Sequence, residues 1–363
     1  MAKLNVGIVG VGNISGIYLK NLTTVFSNRV ALLGCADIIP ERAEQARKEH
    51  NLPKSYASVD DLVSDSDIDI VLNLTIPKAH YEVCLKAIQG DKHTYVEKPL
   101  SIALEEGKTL VDEAEKKGVR VGGAPDTFLG GGIQTCRKLI DDGWIGNPVA
   151  AAAFLPGHGH ESWHPDPEFY YKVGGGPMFD MGPYYLTALV NLVGPVRRVT
   201  GSTRITFPKR RITSQPKYGT IIDVDVPTHI AGIIDFRSGA IGTIITSFDI
   251  WSANLPRIEI YGSEGSLSVP DPNTFGGEIK VKRFDHDQWN SIPFTHGYTE
   301  NCRGLGVADM ADAIDNGRDH RASGNLTNHV LEIMHGFHIA SDSDSHYLLT
   351  SEGVRPESLP TDF

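Results

Sequence analysis

The sequence is short of positive charge: 34 Lys and Arg stand against 45 Asp and Glu, a formal net charge of −11. Nucleic acids and anionic membrane surfaces are held through basic patches, so this balance argues against both as partners. Cysteine is scarce as well. Cys35, Cys84, Cys136 and Cys302 lie far apart, with no Cys-x-x-Cys and no zinc-ligand spacing among them. That pattern speaks against a disulfide framework and for reduced thiols in a cytoplasmic protein. No run of 18 apolar residues occurs, so no membrane span is expected. The apolar stretch Leu4–Val11 has only Lys3 as a basic residue before it and is broken by glycine, which does not fit a signal-peptide core.

What is present is ample apolar material, 40% of 363 residues, enough for two domains. Val6-Gly7-Ile8-Val9 reads as a strand and runs into Gly10-Val11-Gly12-Asn13-Ile14-Ser15, after which Tyr18, Leu19 and Leu22 continue at helical spacing. This is one step from the dinucleotide fingerprint. Gly10 permits the tight turn, Gly12 lets the backbone approach a pyrophosphate, and Ser15 is small enough to stand in for the third glycine. Asn13 and Ile14 complete the loop, and the following helix turns its unpaired N–H groups toward the phosphates. A second strand, Val30–Ala36, ends at Asp37, 22 residues beyond Ser15. A carboxylate there can accept both ribose hydroxyls and repels a 2′-phosphate, so the expected cofactor is NAD rather than NADP. The same aspartate could also cap the helix that begins near Pro40.

Strand and helix then alternate. Helices are expected over Glu41–His50, Val59–Val63, His80–Gln89 and Leu104–Lys117, and strands over Ile68–Leu74, Thr94–Val96 and Val119–Gly122. Repeats of this length imply a parallel sheet with right-handed crossovers, a Rossmann domain over residues 1–125. The strand ending at Val96 stops at Glu97-Lys98-Pro99. Open α/β sheets place ligands beyond the carboxyl ends of their strands, so Lys98 is either a surface charge or a catalytic cation.

Three features together, the Gly10–Ser15 loop, Thr75-Ile76-Pro77 with His80, and Glu97-Lys98-Pro99, resemble the glucose–fructose oxidoreductase / inositol dehydrogenase / MocA family. The likeness continues through Ile133–Pro148 and through Gly174-Gly175-Gly176 followed by Asp180-Met181-Gly182-Pro183-Tyr184. It implies that Thr75, Pro77, His80, Glu97 and Lys98 line the cofactor, that the Lys98–Pro99 bond is cis, and that Lys98 and Asp180 are catalytic. One departure is clear: Tyr184 stands where many members carry histidine. In that respect the chain is similar to the glucose–fructose oxidoreductase and dihydrodiol dehydrogenase branches.

Residues 126–363 have a different texture, expected to form an α+β substrate-binding and oligomerisation domain. Gly130-Gly131-Gly132 reads as a flexible entry to a helix over Ile133–Ile140, and Pro148–Leu155 as a strand. Next comes a loop with His158, His160, Trp163 and His164. No ligand set of fixed spacing accompanies these histidines, so no metal is expected. Imidazoles that hydrogen-bond hydroxyls and an indole that covers a pyranose make it a candidate sugar-binding loop; a plain surface loop is the alternative. Phe179–Leu192 reads as a helix that places Asp180 and Tyr184 on one face. Strands expected over 199–207, 229–236, 240–248, 257–261, 266–269 and 278–284 lack helices between them and imply a large, mainly antiparallel open sheet. In the resembled family that sheet makes the subunit contact, so a homodimer or homotetramer is expected. Helices over Arg303–Asn316 and Thr327–Ser341 and a surface tail close the chain.

The chemistry expected is NAD-dependent hydride transfer at a secondary alcohol of a sugar, cyclitol or related polyol. Lys98 would stabilise developing alkoxide charge, Tyr184 would relay the proton, Asp180 would orient them, and His160 stands in reserve as proton carrier. A non-catalytic nucleotide-sensing regulator of the same fold and an NAD-dependent glycosidase are the alternatives.

Overall fold

A computed structural model describes residues 3–363. The first compact unit comprises the chain up to Leu129 together with Glu300–Leu331, and the second comprises Gly130–Thr299 together with Glu332–Phe363. The segment 300–331, assigned from sequence to the second domain, therefore belongs with the first.

In the first unit strands β1 (Leu4–Val9), β2 (Val30–Ala36), β3 (Lys54–Tyr56), β4 (Ile70–Asn73), β5 (His93–Val96) and β6 (Val121–Gly123) alternate with helices α1 (Ser15–Thr23), α2 (Pro40–Glu49), α3 (Val59–Ser64), α4 (Pro77–Gln89) and α5 (Leu104–Lys117). The sheet order is β3-β2-β1-β4-β5-β6, and every pair is parallel. The order reverses between β1 and β4, which makes their carboxyl ends the topological switch point where doubly wound sheets take ligands. Val9, Ala36, Leu62, Val71, Val83 and Ala87 form one buried cluster, and Cys84, Ile88, Val96, Leu100, Leu110 and Val121 another. α4 starts at Pro77, earlier than the periodicity suggested, because proline at the first helical position loses no hydrogen bond.

The second unit opens with α6 (Gly131–Asp141), β7 (Pro148–Pro156) and α7 (Gly176–Val193). Strands follow: β8 (Val196–Arg204), β9 (Lys209–Arg211), β10 (Ile221–Asp223), β11 (His229–Phe236), β12 (Ile241–Ser247), β13 (Ile258–Gly262), β14 (Gly265–Val269), β15 (Ile279–Arg283) and β16 (Asn290–Ile292). β9 and β10 pair only with each other; the rest form a nine-stranded sheet ordered β16-β15-β14-β13-β7-β12-β11-β8-β17, where β17 is Tyr347–Leu348. β7 and β12 run parallel, and all other neighbours are antiparallel. Ile230, Ile234 and Ile244 point to the helix-covered face, where Gly232 leaves room for the Phe337 ring. On the opposite face Phe154, Thr200, Ala231, Ile233, Thr243 and Ile245 surround a hollow of about 390 Å³.

The last helices are α8 (Leu305–Asn316) and α9 (Gly324–Asp342), the latter divided between the units after Leu331. α8 joins the first unit through Asp126. Its Oδ2 accepts the N–H groups of Gly304 and Gly306 at 2.8 and 3.0 Å, doing for this helix what an N-cap side chain does. Gly306 also leaves space for the Tyr95 phenol, and Arg120 donates to the Arg318 carbonyl at 2.6 Å.

One local expectation needs correction. Gly130, Gly131 and Gly132 are not a flexible entry. A Cβ on each would come within 2.6 to 2.8 Å of the Phe275, Gly297 and Gly276 main chain, so they are glycine because two backbone segments pack together. The C-terminal tail lies at the surface as expected and is tied down there. The Leu359 N–H donates to Gln134 at 2.8 Å, and Arg137 donates to the Pro356 carbonyl at 2.9 Å.

Candidate functional site

At the switch point, Gly10 takes φ +92°, and a Cβ there would lie 2.9 Å from the Leu74 main chain, so both the turn and the close approach require glycine. Gly12 is different. An added Cβ would meet nothing within 4 Å, which leaves this stretch of backbone facing open space. Asn13 is exposed, and Ile14 occupies the N-cap of α1 without a side-chain cap, so the first turn keeps uncapped N–H groups for an anion. The Asp37 carboxylate is braced by two N–H donors, Val11 at 2.8 Å and Ile39 at 2.9 Å. It forms a turn with Ile39 and ties the end of β2 to the glycine loop, while each oxygen retains a lone pair for a ribose hydroxyl. Ile38, 97% exposed, offers apolar surface beside it. This donor set fits a dinucleotide without a 2′-phosphate.

Beyond β4, the Thr75 hydroxyl donates to Asn73 at 2.6 Å, and Pro77 opens α4. His80 is fully buried, with Nδ1 2.6 Å from the Pro99 carbonyl and Nε2 3.0 Å from the Thr75 carbonyl. It ties the two strand-end turns together rather than presenting a ring nitrogen to a ligand. Burial holds its pKa below the ordinary imidazole value, so the neutral ring donates to one carbonyl at a time. Glu97 is likewise turned inward. Oε1 accepts the Tyr18 hydroxyl at 2.7 Å and Oε2 accepts the Lys98 N–H at 3.0 Å. Through that pair α1, the helix that begins at the glycine loop, braces the main chain of Lys98. Burial and then the charge of Glu97 push the Tyr18 phenol well above its ordinary pKa, so it remains a donor. Lys98 is half-buried, and its bond to Pro99 is cis.

In the second unit the loop after β7 is organised around charge buried beneath it. Arg210, from the β9 arm, donates to Glu161 at 2.7 Å and to the Phe248 carbonyl at 2.7 Å, and is paired with Asp249 as well. Glu161 also accepts the Tyr171 hydroxyl. Burial, then the hydrogen bond to Glu161, raises the Tyr171 phenol far above its ordinary value. On this frame His160 stacks on Tyr170 at 3.7 Å between centroids and meets Phe248 edge-on at 4.8 Å. Its Nε2 lies 3.4 Å from Asp180 Oδ2, while Nδ1 is buried without a hydrogen-bond partner. Trp163, 62% exposed, tilts against the imidazole at 5.2 Å, and His164 stands edge-on to Tyr170 at 5.4 Å. His158 stacks on Trp251, itself 83% exposed. Tyr184 is buried one helical turn beyond Asp180.

Within the second unit, then, His160, Trp163, His164 and Asp180 form one aromatic and polar cluster, and His158 stands with Trp251. Sequence reasoning missed Glu161, Arg210 and Asp249, which lie on three separate segments and share no motif. It also missed Tyr18 and Asp126, whose roles depend on contacts more than 70 residues away in the chain. Among the described residues no group of three or more His, Cys, Asp or Glu is placed to hold a metal ion, and no helix is long and apolar enough to cross a membrane.

Residues 4–123 match the oxidoreductase family with an NAD-binding Rossmann fold, and residues 133–268 match the GFO/IDH/MocA C-terminal domain. Over 266 residues the chain is 23% identical to myo-inositol 2-dehydrogenase of Thermotoga maritima, covering 73% of this chain and 74% of that one. It is 27% identical over 268 residues to scyllo-inositol 2-dehydrogenase (NAD(+)) of Bacillus subtilis, 74% of each chain. Levoglucosan dehydrogenase in complex with NADH superposes with a TM-score of 0.82 at 21% identity, over 96% of this chain and all of that one, a likeness of fold.

Proposed function

The chain belongs to the glucose–fructose oxidoreductase / inositol dehydrogenase / MocA family of NAD-binding oxidoreductases, and from that premise we propose that it transfers hydride between nicotinamide and a secondary alcohol of a sugar, cyclitol or related polyol. The observation that carries the proposal is Lys98: a lysine at the carboxyl end of β5, its main chain braced by Glu97 against the helix of the nucleotide loop. The inositol dehydrogenases among its relatives support the substrate class.

Gly10, Gly12, Asn13, Ile14, Asp37, Thr75 and Pro77 would hold the dinucleotide, which when bound supplies the hydride acceptor. Lys98 donates to the substrate oxygen and stabilises the negative charge that grows on it as the proton leaves. Asp180 is the orienting carboxylate, and Tyr184 contributes a phenol that fixes the hydroxyl. His158, His160, Trp163 and His164 bind the polyol by hydrogen bonds and by stacking on its C–H face. The four free cysteines, all buried, support the cytoplasmic location proposed with this activity.

The test is nicotinamide fluorescence with a panel of inositols, pyranoses and anhydro-sugars. Wild type turns over at least one of them, and Lys98→Met lowers kcat about 10²- to 10³-fold. No turnover across the panel by wild type contradicts the proposal. Glycoside cleavage without net NADH would favour the glycosidase.

A further inference from the structure

We infer that His160, not Tyr184, accepts the substrate proton, with Asp180 as its orienting carboxylate. This assignment rests on the reading just given and names the group that reading leaves open. Three observations carry it. His160 Nε2 faces Asp180 Oδ2 at 3.4 Å, so a carboxylate is in place to hold one tautomer and to stabilise the imidazolium. The ring is clamped flat on Tyr170, with an interplanar angle of 8°, and edge-on to Phe248, so its orientation is set before substrate arrives. Its other nitrogen, Nδ1, is buried and takes no hydrogen bond from the protein, an arrangement that costs stability unless something is meant to meet it.

With the neutral ring's proton on Nε2, the nitrogen that faces Asp180, Nδ1 carries the lone pair. The hydroxyl O–H bond breaks and its proton goes to Nδ1, while the carbinol C–H bond breaks with its electron pair leaving as hydride, for which oxidised nicotinamide, when bound, would be the acceptor. The C–O bond becomes the carbonyl. The imidazolium is then held by Asp180. The ionisable groups facing it are Asp180 from α7, Tyr170 and Tyr171 from the turn Glu168–Tyr171, and Glu161 and His164 from its own loop. Arg210 is itself paired with Glu161 and Asp249. Because Nδ1 is covered, a hydroxyl reaches it when one neighbouring ring moves, and Trp163 is the exposed one. Substrate binding must therefore change the environment of Trp163.

The experiment measures the pH profile of kcat/KM and substrate-induced tryptophan fluorescence in wild type, His160→Gln, Asp180→Asn, Tyr184→Phe and Trp163→Phe. The expected result is a wild-type profile with an acid limb that is absent in His160→Gln, whose kcat is about 10²- to 10⁴-fold lower. Tyr184→Phe and Asp180→Asn are slower yet keep the limb. A fluorescence change on substrate binding, lost in Trp163→Phe, persists in His160→Gln and reports a folded, binding-competent chain. An acid limb retained in His160→Gln, or lost in Tyr184→Phe, overturns the assignment while leaving the hydride-transfer reading intact. An inactive wild type overturns both.

Discussion

Asp126 and His320 are single residues whose burial gives stability a dependence on pH, in opposite directions. Burial, against the N–H groups of Gly304 and Gly306, raises the Asp126 carboxyl to about 6. The unfolded carboxyl titrates near 3.9. Between those values the folded chain keeps a proton that the unfolded chain has released, so stability from this group falls as pH rises, by about 3 kcal/mol across the window. His320 Nε2 donates to the Val121 carbonyl at 3.0 Å, and burial lowers its pKa to about 4. The unfolded imidazole binds protons from about 6.5 downward, so this contribution is lost as pH falls. The two slopes oppose each other in wild type. Thermal melts between pH 4 and 6.5 should therefore separate them. Relative to wild type, Asp126→Asn gains stability as pH rises and His320→Gln gains it as pH falls. A difference between Asp126→Asn and wild type that does not change with pH contradicts the linkage.

At the scale of elements, the loop after β7 depends on one cation. Arg210 sits between Glu161 and Asp249, and removing it leaves two buried carboxylates without an opposite charge. Arg210→Met is expected to cost about 3–5 kcal/mol in urea unfolding, and to loosen the stacking of His160 on Tyr170. A loss below about 1 kcal/mol would mean that the pair is solvated and does not organise the loop. None of this could be read from the sequence, because Glu161, Arg210 and Asp249 come together only through the β9–β10 arm. The parallel sheet was legible, since its strands are apolar runs and its helices repeat at regular spacing. So were Gly10 and Asp37, where turn geometry and charge dictate the residue type. Contacts that need tertiary structure were not: the inward turn of His80 and Glu97, the packing behind Gly130–Gly132, and the meeting of His160 with Asp180. Each of these is a residue whose type admits several roles until its neighbours are known.

At the scale of the molecule, the nine-stranded sheet leaves one broad face uncovered in a single chain. Ile233 and Ile241 stand there 43% and 52% exposed around the hollow lined by Phe154 and Ile245. An apolar patch of this kind is a liability unless a second copy covers it. The homodimer or homotetramer expected from the sequence would use that face, and Ile233→Lys should then shift sedimentation toward the monomer while thermal unfolding of the isolated chain is little changed. An oligomer that survives the substitution would place the contact elsewhere. Direct transfer of hydride from a polyol carbon to nicotinamide is the central step proposed for this chain, and isotope transfer measures it most directly. With a substrate from the panel deuterated at the reacting carbinol carbon, mass spectrometry of the reduced cofactor should find one deuterium per molecule formed. Reduced cofactor free of deuterium, or product formed with no reduced cofactor at all, would contradict it.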